Sequence, residues 1–358
     1  MNTTPSLQSN PSPAMTMYVP SMDHQVEEAT VDAMWVSIQD LQIALHAADQ
    51  AAIKANGVIP EPQANLVRKR FDRMVFSMHD ALGPESGRSE GECKEIGEAV
   101  QRAVLPYLLL TTTSERLYSK PRGYAGDAIS IDGIYANQPS GTGRIGPLLD
   151  ECFLEQPAAR AVRNRRGLLR EEIQAMLTKF PQRTVHITSM ACGPAREIFD
   201  VFEEMDDVTK LQVQLIDIDT EALEQVHEEA RKRDLLGQIS FHHANLIELS
   251  IGRTKLDLPA QDLVYSIGLI DYFIDKLVVR LMSYGHQLLR CGGKMILGNF
   301  HPCNRNKALM DFVLDWKLIH RTEADMDRLY SASGFATPST EQRYEDAGVN
   351  LFASCLRR

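Results

Sequence analysis

The sequence predicts an α/β protein: a mostly parallel, doubly wound sheet preceded by an N-terminal helical cap. Two observations predict this fold. From residue 184 onward, short apolar runs alternate with helical patterns, which is typical of a parallel sheet covered by helices. Before that point, apolar residues recur every three or four positions, which is the period of amphipathic helices.

The composition is that of an ordinary globular protein. The chain has 358 residues, 44% of them hydrophobic and 24% charged, enough for a core domain and a smaller one. A net charge of −10 argues against a nucleic-acid partner, because phosphate binding favours a basic face. No apolar run approaches the roughly 20 residues that span a bilayer. We therefore expect no stable membrane insertion. Because the first Lys or Arg is Lys54, there is no basic segment of the kind that begins a signal peptide, so we expect no signal peptide and a cytoplasmic location.

The cysteines and histidines indicate no metal site. The six cysteines are dispersed without a Cys-x-x-Cys pair, so reduced thiols are expected and neither a zinc cluster nor a disulfide scaffold. His242 and His243 are adjacent, but no second set of ligands lies near them in the sequence. We therefore expect no metal.

The chain divides into four predicted segments. These are a disordered N-terminus rich in Ser, Thr, Pro and Asn, a helical domain, a substrate lid and the α/β domain, at residues 1–22, 23–119, 120–156 and 157–358. The apolar period of the helical domain predicts three helices, the last kinked at Pro106, at about 26–53, 62–82 and 92–119. The lid is expected to be a long loop, because aromatic residues alternate with glycines there.

A further helix at about 157–179 carries five arginines. A solvated face is the ordinary interpretation of such a charge run. The alternative is that one or two of these side chains contact an anionic ligand. The arginines are Arg160, Arg163, Arg165, Arg166 and Arg170.

The α/β domain is predicted to contain seven strands. Five lie at about 184–190, 211–217, 238–243, 261–267 and 293–299, with helices at about 195–205, 220–236, 275–290 and 304–319. Two more, at 341–344 and 349–356, are joined by a short connection and must be antiparallel. A Rossmann-like parallel sheet closed by a C-terminal antiparallel hairpin is the layout of class I S-adenosylmethionine methyltransferases.

The turn after the first strand predicts a nucleotide-type ligand. Gly193 allows a ligand to approach the backbone, and the next helix points its N-terminal amides there. A dinucleotide fingerprint needs three glycines, but Ala191 and Ala195 replace two of them, which argues against a dehydrogenase. S-adenosylmethionine, which has no phosphates, fits better. An ordinary strand-to-helix turn is the alternative.

Other cofactor contacts are expected at the carboxyl ends of the strands. Asp217 ends the second strand and is expected to accept hydrogen bonds from the ribose hydroxyls, while Asp219 caps the next helix. Asn245 is expected to bond the adenine amine. The full predicted cofactor set is Ala191, Cys192, Gly193, Asp217, Ile218, Asn245, Leu246, Ser266 and Gly268.

Four stretches together resemble one known family. They are Lys120-Pro-Arg-Gly-Tyr-Ala-Gly-Asp, Ala191-Cys-Gly-Pro-Ala-Arg-Glu, Gly298-Asn-Phe-His-Pro and Trp316-Lys-Leu-Ile-His-Arg-Thr. Through them the chain resembles the bacterial "extracellular factor" 3-hydroxypalmitic acid methyl ester biosynthesis family of methyltransferases. The resemblance covers residues 110–358 well. It implies methylation of a 3-hydroxy fatty acid carboxylate to a methyl ester that serves as a quorum-sensing signal, with the lid closing on the substrate.

The predicted acceptor site follows from the chemistry of ester formation. A carboxylate is ionised at neutral pH, so its methylation needs alignment and exclusion of water rather than a base. We expect Arg122 or Arg321 to steer the carboxylate and Tyr124 or His301 to donate a hydrogen bond to it. Asp127, Tyr272 and Asn299 are expected to contact the substrate, although Tyr272 is equally suited to packing. Met34, Met74 and Met78 are expected either in the core or along an acyl tunnel.

Other functions stay open at this point. An N- or O-methyltransferase of a small amine or phenol would need a base, for which Asp271 and His301 are candidates. A non-catalytic S-adenosylmethionine-binding regulator is a second alternative. A homodimer is also compatible with the sequence.

Overall fold

A seven-stranded sheet forms the C-terminal half of the protein. The computed structural model describes residues 22–358 and side chains from residue 28 onward, so the prediction for the N-terminus falls outside the described residues. The strand order is β3-β2-β1-β4-β5-β7-β6. The strands are β1 Val185–Met190, β2 Leu211–Asp217, β3 Ile239–His243, β4 Gln261–Ile267, β5 Leu289–Phe300, β6 Glu341–Tyr344 and β7 Asn350–Leu356.

The pairing of the strands confirms the predicted fold class. Strands β1 to β5 are parallel, and β7 pairs antiparallel with both β5 and β6. The order reverses between β1 and β4, which are neighbours in the sheet although two strands separate them in the sequence. In open α/β sheets such a switch point leaves a crevice at the carboxyl ends of the strands, where ligands bind.

Twelve α-helices lie within the described residues. Seven precede the sheet: α1 Met22–Lys54, α2 Glu61–Leu82, α3 Glu90–Leu108, α4 Thr112–Ser119, α5 Ala128–Ala136, α6 Gly146–Leu154 and α7 Pro157–Lys179. Five connect its strands: α8 Arg196–Glu203, α9 Thr220–Lys232, α10 Leu246–Ser250, α11 Asp275–Leu288 and α12 Glu323–Ala332. None of the helices that the structure describes is both long enough and apolar enough to cross a membrane.

Two predictions for the region before the sheet were wrong in detail. The helix predicted at 92–119 is two helices, because the Thr111 side chain accepts a hydrogen bond from Ser114 N at 2.9 Å and so starts α4. The lid is not a loop throughout but contains α5 and α6. Asp127 caps α5 by accepting from Ser130 N at 2.9 Å. Only residues 120–127, which we call the strap, and the connection between α5 and α6 are irregular.

The helix predicted at 304–319 was also wrong. Only a π-helical turn at Leu309–Val313 forms, and Asp315, with φ of +48°, takes the chain out of helical geometry. The apolar period continues because the irregular backbone still directs Trp316 and Leu318 into the core. Helix α12 was not predicted, although Thr322 and Asp325 form a reciprocal capping box at its start.

The cap and the sheet bury three groups of apolar side chains. Two groups lie on the two faces of the sheet. The third joins the N-terminal helices to residues 308–318, after β5 in the sequence. Met34, Met74 and Met78 are fully buried in this third group, so they belong to the core of the cap. The cap is thus held by a segment from the C-terminal half.

Helix α3 packs against the π-helical turn at Gly97, and this close contact gives a stability prediction. An ideal Cβ on Gly97 would lie 2.3 Å from Cδ1 of Phe312. We expect Gly97→Ala to lower the free energy of unfolding by about 1–3 kcal/mol, because the ring must move within a packed core. Urea unfolding measures this. Gly167→Ala in α7 is the matched control: its Cβ would meet nothing within 4 Å, so a gain of up to about 1 kcal/mol is expected. Equal effects of the two substitutions would contradict the packing argument.

Candidate active site

A cavity of about 420 Å³ opens at the carboxyl ends of β1, β2 and β4. Most of its wall is apolar, and a few polar groups converge on it, as is usual for small-molecule sites. Part of the strap lines it on one side. Of the residues predicted from the sequence, its wall contains Tyr124, Ala191, Cys192, Gly193, Asp217, Ile218, Asn245, Leu246, Gly268 and Tyr272.

The turn between β1 and α8 forms one end of the cavity and has an unusual backbone. Ala191, Gly193 and Ala195 all lie in the left-handed region, with φ of +56°, +52° and +47°. For alanine this conformation costs roughly 1 kcal/mol per residue, and such strain concentrates at functional sites. An ideal Cβ on Gly193 would meet no atom within 4 Å. The glycine therefore leaves space beside its backbone at the cavity wall.

Asp217 holds this turn in place. Its Oδ2 accepts from Gly193 N and its Oδ1 from Asp219 N, both at 2.9 Å. Burial raises the pKa of Asp217, although these hydrogen bonds act in the opposite direction. Each carboxyl oxygen keeps a lone pair for a ligand hydroxyl. Asp219 caps α9 by accepting from two backbone amides at 3.1 Å.

Ile218, Asn245 and Leu246 line the cavity beyond Asp217. Ile218 is 58% exposed, and Leu246 is buried. Asn245 caps α10 by accepting from Ile247 N at 2.9 Å, and its amide NH₂ has no partner among the described residues. Ser266 is not part of the wall: its hydroxyl donates to Met190 O at 2.7 Å and ties β4 to β1.

Tyr124, Asp271 and Tyr272 also line the cavity. Burial and the nearby carboxylate of Asp217 raise the pKa of Tyr124 to about 12, so its hydroxyl stays a neutral donor. The Tyr272 hydroxyl accepts from Trp316 Nε1 at 2.8 Å. Asp271 is 1% exposed. Its Oδ1 accepts from Phe300 N at 2.7 Å, and its Oδ2 has no hydrogen-bond partner.

Two predicted substrate residues of the strap are directed away from the cavity. Arg122 forms ion pairs with Asp219 and with Glu221, the latter at 2.6 Å. Asp127 is fully buried, where it caps α5 and pairs with Arg116 at 2.9 Å. Both therefore hold the strap in position instead of contacting a ligand. Of the strap, Tyr124 and Gly126 line the cavity, and the sequence could not distinguish its inward from its outward side chains.

The three residues predicted at and beyond the end of β5 are also outside the cavity. Asn299 donates to the carbonyl oxygens of Phe300 and Ile319, at 2.8 and 2.9 Å. Nε2 of His301 lies 3.2 Å from Glu323 Oε2. Arg321 is 2% exposed and binds Asp275, Asn299 and two backbone carbonyls. These side chains fix the connection after β4 and the segment before α12.

The structure adds wall residues that were not in the predicted site. Arg165, one of the five arginines of α7, is buried and faces the cavity, whereas Arg163, Arg166 and Arg170 pair with acidic neighbours. Glu197 also lines the cavity and accepts from the Tyr265 hydroxyl at 2.8 Å. The only sequence signal for Arg165 was its position in a run of arginines, which does not distinguish one member from another.

A second, smaller cavity adjoins the first. Val162, Phe300 and Trp316 belong to the walls of both. The smaller one measures about 20 Å³ and extends toward Leu309 and Met310 of the π-helical turn. Its lining is mostly apolar, with Gln156 and Asn306 as the polar residues.

The sheet topology, the strained turn and the placed acid together define a Rossmann-like protein of the methyltransferase type. Residues 109–356 match the family model described as "Putative methyltransferase". This match covers more than half of the chain, and the chain belongs to that family.

Individual relatives are distant. The Escherichia coli K12 protein YnbC, described as uncharacterized, is 23% identical over 238 residues, which are 64% of this chain and 40% of that protein. The chain thus spans about two fifths of the length of the curated relative it matches.

Two solved structures share the fold to different degrees. One is described as a possible exported protein of Bordetella parapertussis: it is 22% identical, the match covers 82% of this chain and 96% of that one, and the TM-score is 0.57. This likeness extends to the fold alone. Magnesium protoporphyrin IX methyltransferase of Synechocystis PCC 6803 with bound S-adenosylmethionine is 14% identical over 56% of this chain and 83% of that one. Its TM-score of 0.40 is too low to add to the fold argument.

The buried Asp271 gives a pH prediction. Burial raises its pKa from the usual 3.8 to about 6, so the folded state keeps a proton that the unfolded state loses between these values. The contribution of this group to the free energy of unfolding is therefore fully present below about pH 4. It is lost as the pH rises through about 6, and the total loss is roughly 3 kcal/mol. We expect Asp271→Asn to raise the unfolding free energy near pH 7.5 and to flatten its dependence between about pH 4 and 6. Urea unfolding at several pH values measures this, with the exposed Asp206→Asn as control. An unchanged slope would show that Asp271 is ionised at its ordinary pKa.

Proposed function

We propose that the protein is an S-adenosylmethionine-dependent methyltransferase. One observation carries the proposal: in a chain of a methyltransferase family, Asp217 binds Gly193 N at the cavity wall and keeps acceptor capacity for a diol. The open space beside Gly193 meets the steric requirement of a ligand lying against the backbone. When bound, S-adenosylmethionine supplies an electrophilic methyl group.

Different residues of this chain would bind different parts of the donor. Asp217 would accept from the ribose hydroxyls, as in other nucleotide sites of this topology. Ile218 and Leu246 would contact the purine ring with apolar side chains. Oδ1 of Asn245 already caps α10, and its second lone pair is free for the adenine amine. Ala191, Cys192, Gly193 and Gly268 would contribute backbone and small side chains along the rest of the donor.

For the acceptor we propose the carboxylate of a 3-hydroxy fatty acid, giving a methyl ester that acts as a quorum-sensing signal. The resemblance of the strap sequence to the methyl ester family supports this, as does the mostly apolar wall of the main cavity. Tyr124 supports it as well, because a neutral hydroxyl can orient a carboxylate without neutralising the attacking oxygen. The residues then need only position the acid and exclude water, which can contribute roughly 7–11 kcal/mol.

A second candidate acceptor is a small amine or hydroxyl compound. Such a group must lose a proton, and Asp271 is favoured as the base by its unpartnered Oδ2 and its pKa of about 6. This candidate differs from the acid in one measurable respect, which is the need for a proton acceptor.

The assay for the acceptor supplies S-adenosylmethionine together with 3-hydroxydecanoate, 3-hydroxymyristate or 3-hydroxypalmitate and detects products by mass spectrometry. We expect methyl esters, and we expect Asp271→Asn to lower their formation by much less than the factor of about 10²–10⁴ that loss of a general base causes. A loss of that size, or methylation of amines and phenols only, would favour the second candidate. Donor binding without any turnover would leave a regulator rather than an enzyme.

For donor binding, we expect Asp217→Ala to lower the affinity for S-adenosylmethionine at least tenfold, which corresponds to about 1.4 kcal/mol of binding free energy. The reason is the loss of two ribose hydrogen bonds together with the anchor of the Gly193 turn. Calorimetry measures the affinity, and thermal unfolding checks the fold. The exposed Asp206→Ala removes the same charge elsewhere and should leave the affinity unchanged. Normal affinity in Asp217→Ala would remove this residue from the donor site.

A further inference from the structure

The two arginines that are buried among the described residues differ in how their donors are used. A guanidinium group stays charged and has five N–H donors. Arg321 uses all five, on Asp275, Asn299 and the carbonyl oxygens of Ile270 and Phe273. Arg165 is 5% exposed and has one hydrogen bond among the described residues, from Nε to the Tyr135 hydroxyl at 3.2 Å. Its two NH₂ groups have no protein acceptor there.

The free side of Arg165 faces the cavity at the point where β1 and β4 diverge. Arg165 is a wall residue together with Ser189 at the end of β1 and Gly268 after β4. An ideal Cβ on Gly268 would lie 2.8 Å from Nη1 of Arg165. Gly268 therefore provides the space that the guanidinium occupies.

No carboxylate of the described chain forms an ion pair with Arg165, although, against the effect of burial, the charges of Asp271 and Glu197 favour the guanidinium from a longer distance and raise its pKa. Asp271 and Glu197 line the same cavity, but Asp271 Oδ1 accepts from Phe300 N and Glu197 Oε1 accepts from the Tyr265 hydroxyl. Neither forms an ion pair with Arg165. A buried charge that no anion contacts directly keeps part of its desolvation cost. A ligand that brings an anionic group into the cavity would remove this cost.

We propose that Arg165 is the carboxylate-binding residue of the cavity, with both NH₂ groups directed to one carboxylate. Arg suits this role because its planar fork matches the two carboxylate oxygens. Tyr135 acts as a positioning residue, since its hydroxyl accepts from Nε and leaves the two NH₂ groups to the ligand. The inference rests on the proposed function, which offers two sources of a carboxylate: the methionine part of the donor and the acid acceptor.

Calorimetry on Arg165→Met distinguishes the two sources. The probes are S-adenosylhomocysteine, 5′-methylthioadenosine, which lacks the amino-acid carboxylate, and 3-hydroxydecanoate alone. If Arg165 binds the donor, the affinity of Arg165→Met for S-adenosylhomocysteine should be lower than that of the wild type by about tenfold or more. Its affinity for 5′-methylthioadenosine should stay within about twofold of the wild-type value. If Arg165 binds the acceptor, the affinity for both nucleosides should be unchanged and the affinity for the fatty acid should fall by about tenfold or more.

Two further variants control this experiment. Arg160→Met removes an exposed charge from the same helix and should change none of the three affinities. Arg165→Lys keeps the charge but not the fork and should recover part of the lost carboxylate binding. An equal loss for S-adenosylhomocysteine and 5′-methylthioadenosine, or no loss for any probe, would overturn the assignment. A wild-type protein that binds the fatty acid through Arg165 but neither nucleoside would refute the proposed function and leave the carboxylate site standing.

Discussion

The hydrogen bond from Gly193 N to the Asp217 carboxylate is the interaction on which the site depends. It joins the ends of two adjacent central strands, and it requires a turn with three residues in the left-handed region. Two of these residues are alanines, so part of the folding energy maintains the turn. The wall of the cavity is therefore fixed before any ligand arrives. The strap is attached differently, through side-chain ion pairs. The pairs of Lys120 with Asp315 and of Arg122 with Glu221 involve exposed acids and are individually weak, whereas Asp219 and Asp127, which pair with Arg122 and Arg116, are largely buried.

The cavity wall contains two ionisable side chains with atoms that have no hydrogen-bond partner among the described residues. Arg165 has donors without acceptors, and Asp271 Oδ2 has no donor. Elsewhere, Arg321 shows that the same fold can satisfy a buried guanidinium completely. Some buried polar atoms without a partner, such as Thr188 Oγ1 and the Tyr284 hydroxyl, lie away from the cavity, but Arg165 and Asp271 lie where a ligand can reach them. Stability is lower than it would be with apolar residues at these positions, which is a common relation between active sites and stability.

Much of the sheet was predictable, because buried parallel strands are continuous apolar runs and their carboxyl ends must converge. That reasoning placed Gly193 and Asp217 at the cavity wall. It failed for Asn299, His301 and Arg321, because a position at a sheet edge does not say which way a side chain points. Arg165 was hidden for another reason, since a run of arginines on a helix gives the same pattern whether one of them is buried or none.

The helix after β5 was misplaced because apolar spacing reports burial and not backbone conformation. Residues 308–318 keep a helix-like spacing, although only a π-helical turn forms at Leu309–Val313 and residues 314–318 are irregular. The capping box at Thr322 and Asp325 is the local signal that would have moved the helix to its true position.

The packing of the cap against residues 308–318 has a consequence for the order of events during synthesis. The cap helices are made first, but their apolar faces are completed by a segment that leaves the ribosome some two hundred residues later. Until then the nascent cap exposes apolar surface, and domains that must wait in this way are prone to aggregation. The cap and the methyltransferase fold therefore mature together, and the cap becomes a finished structure only when the strands of the parallel sheet have been made.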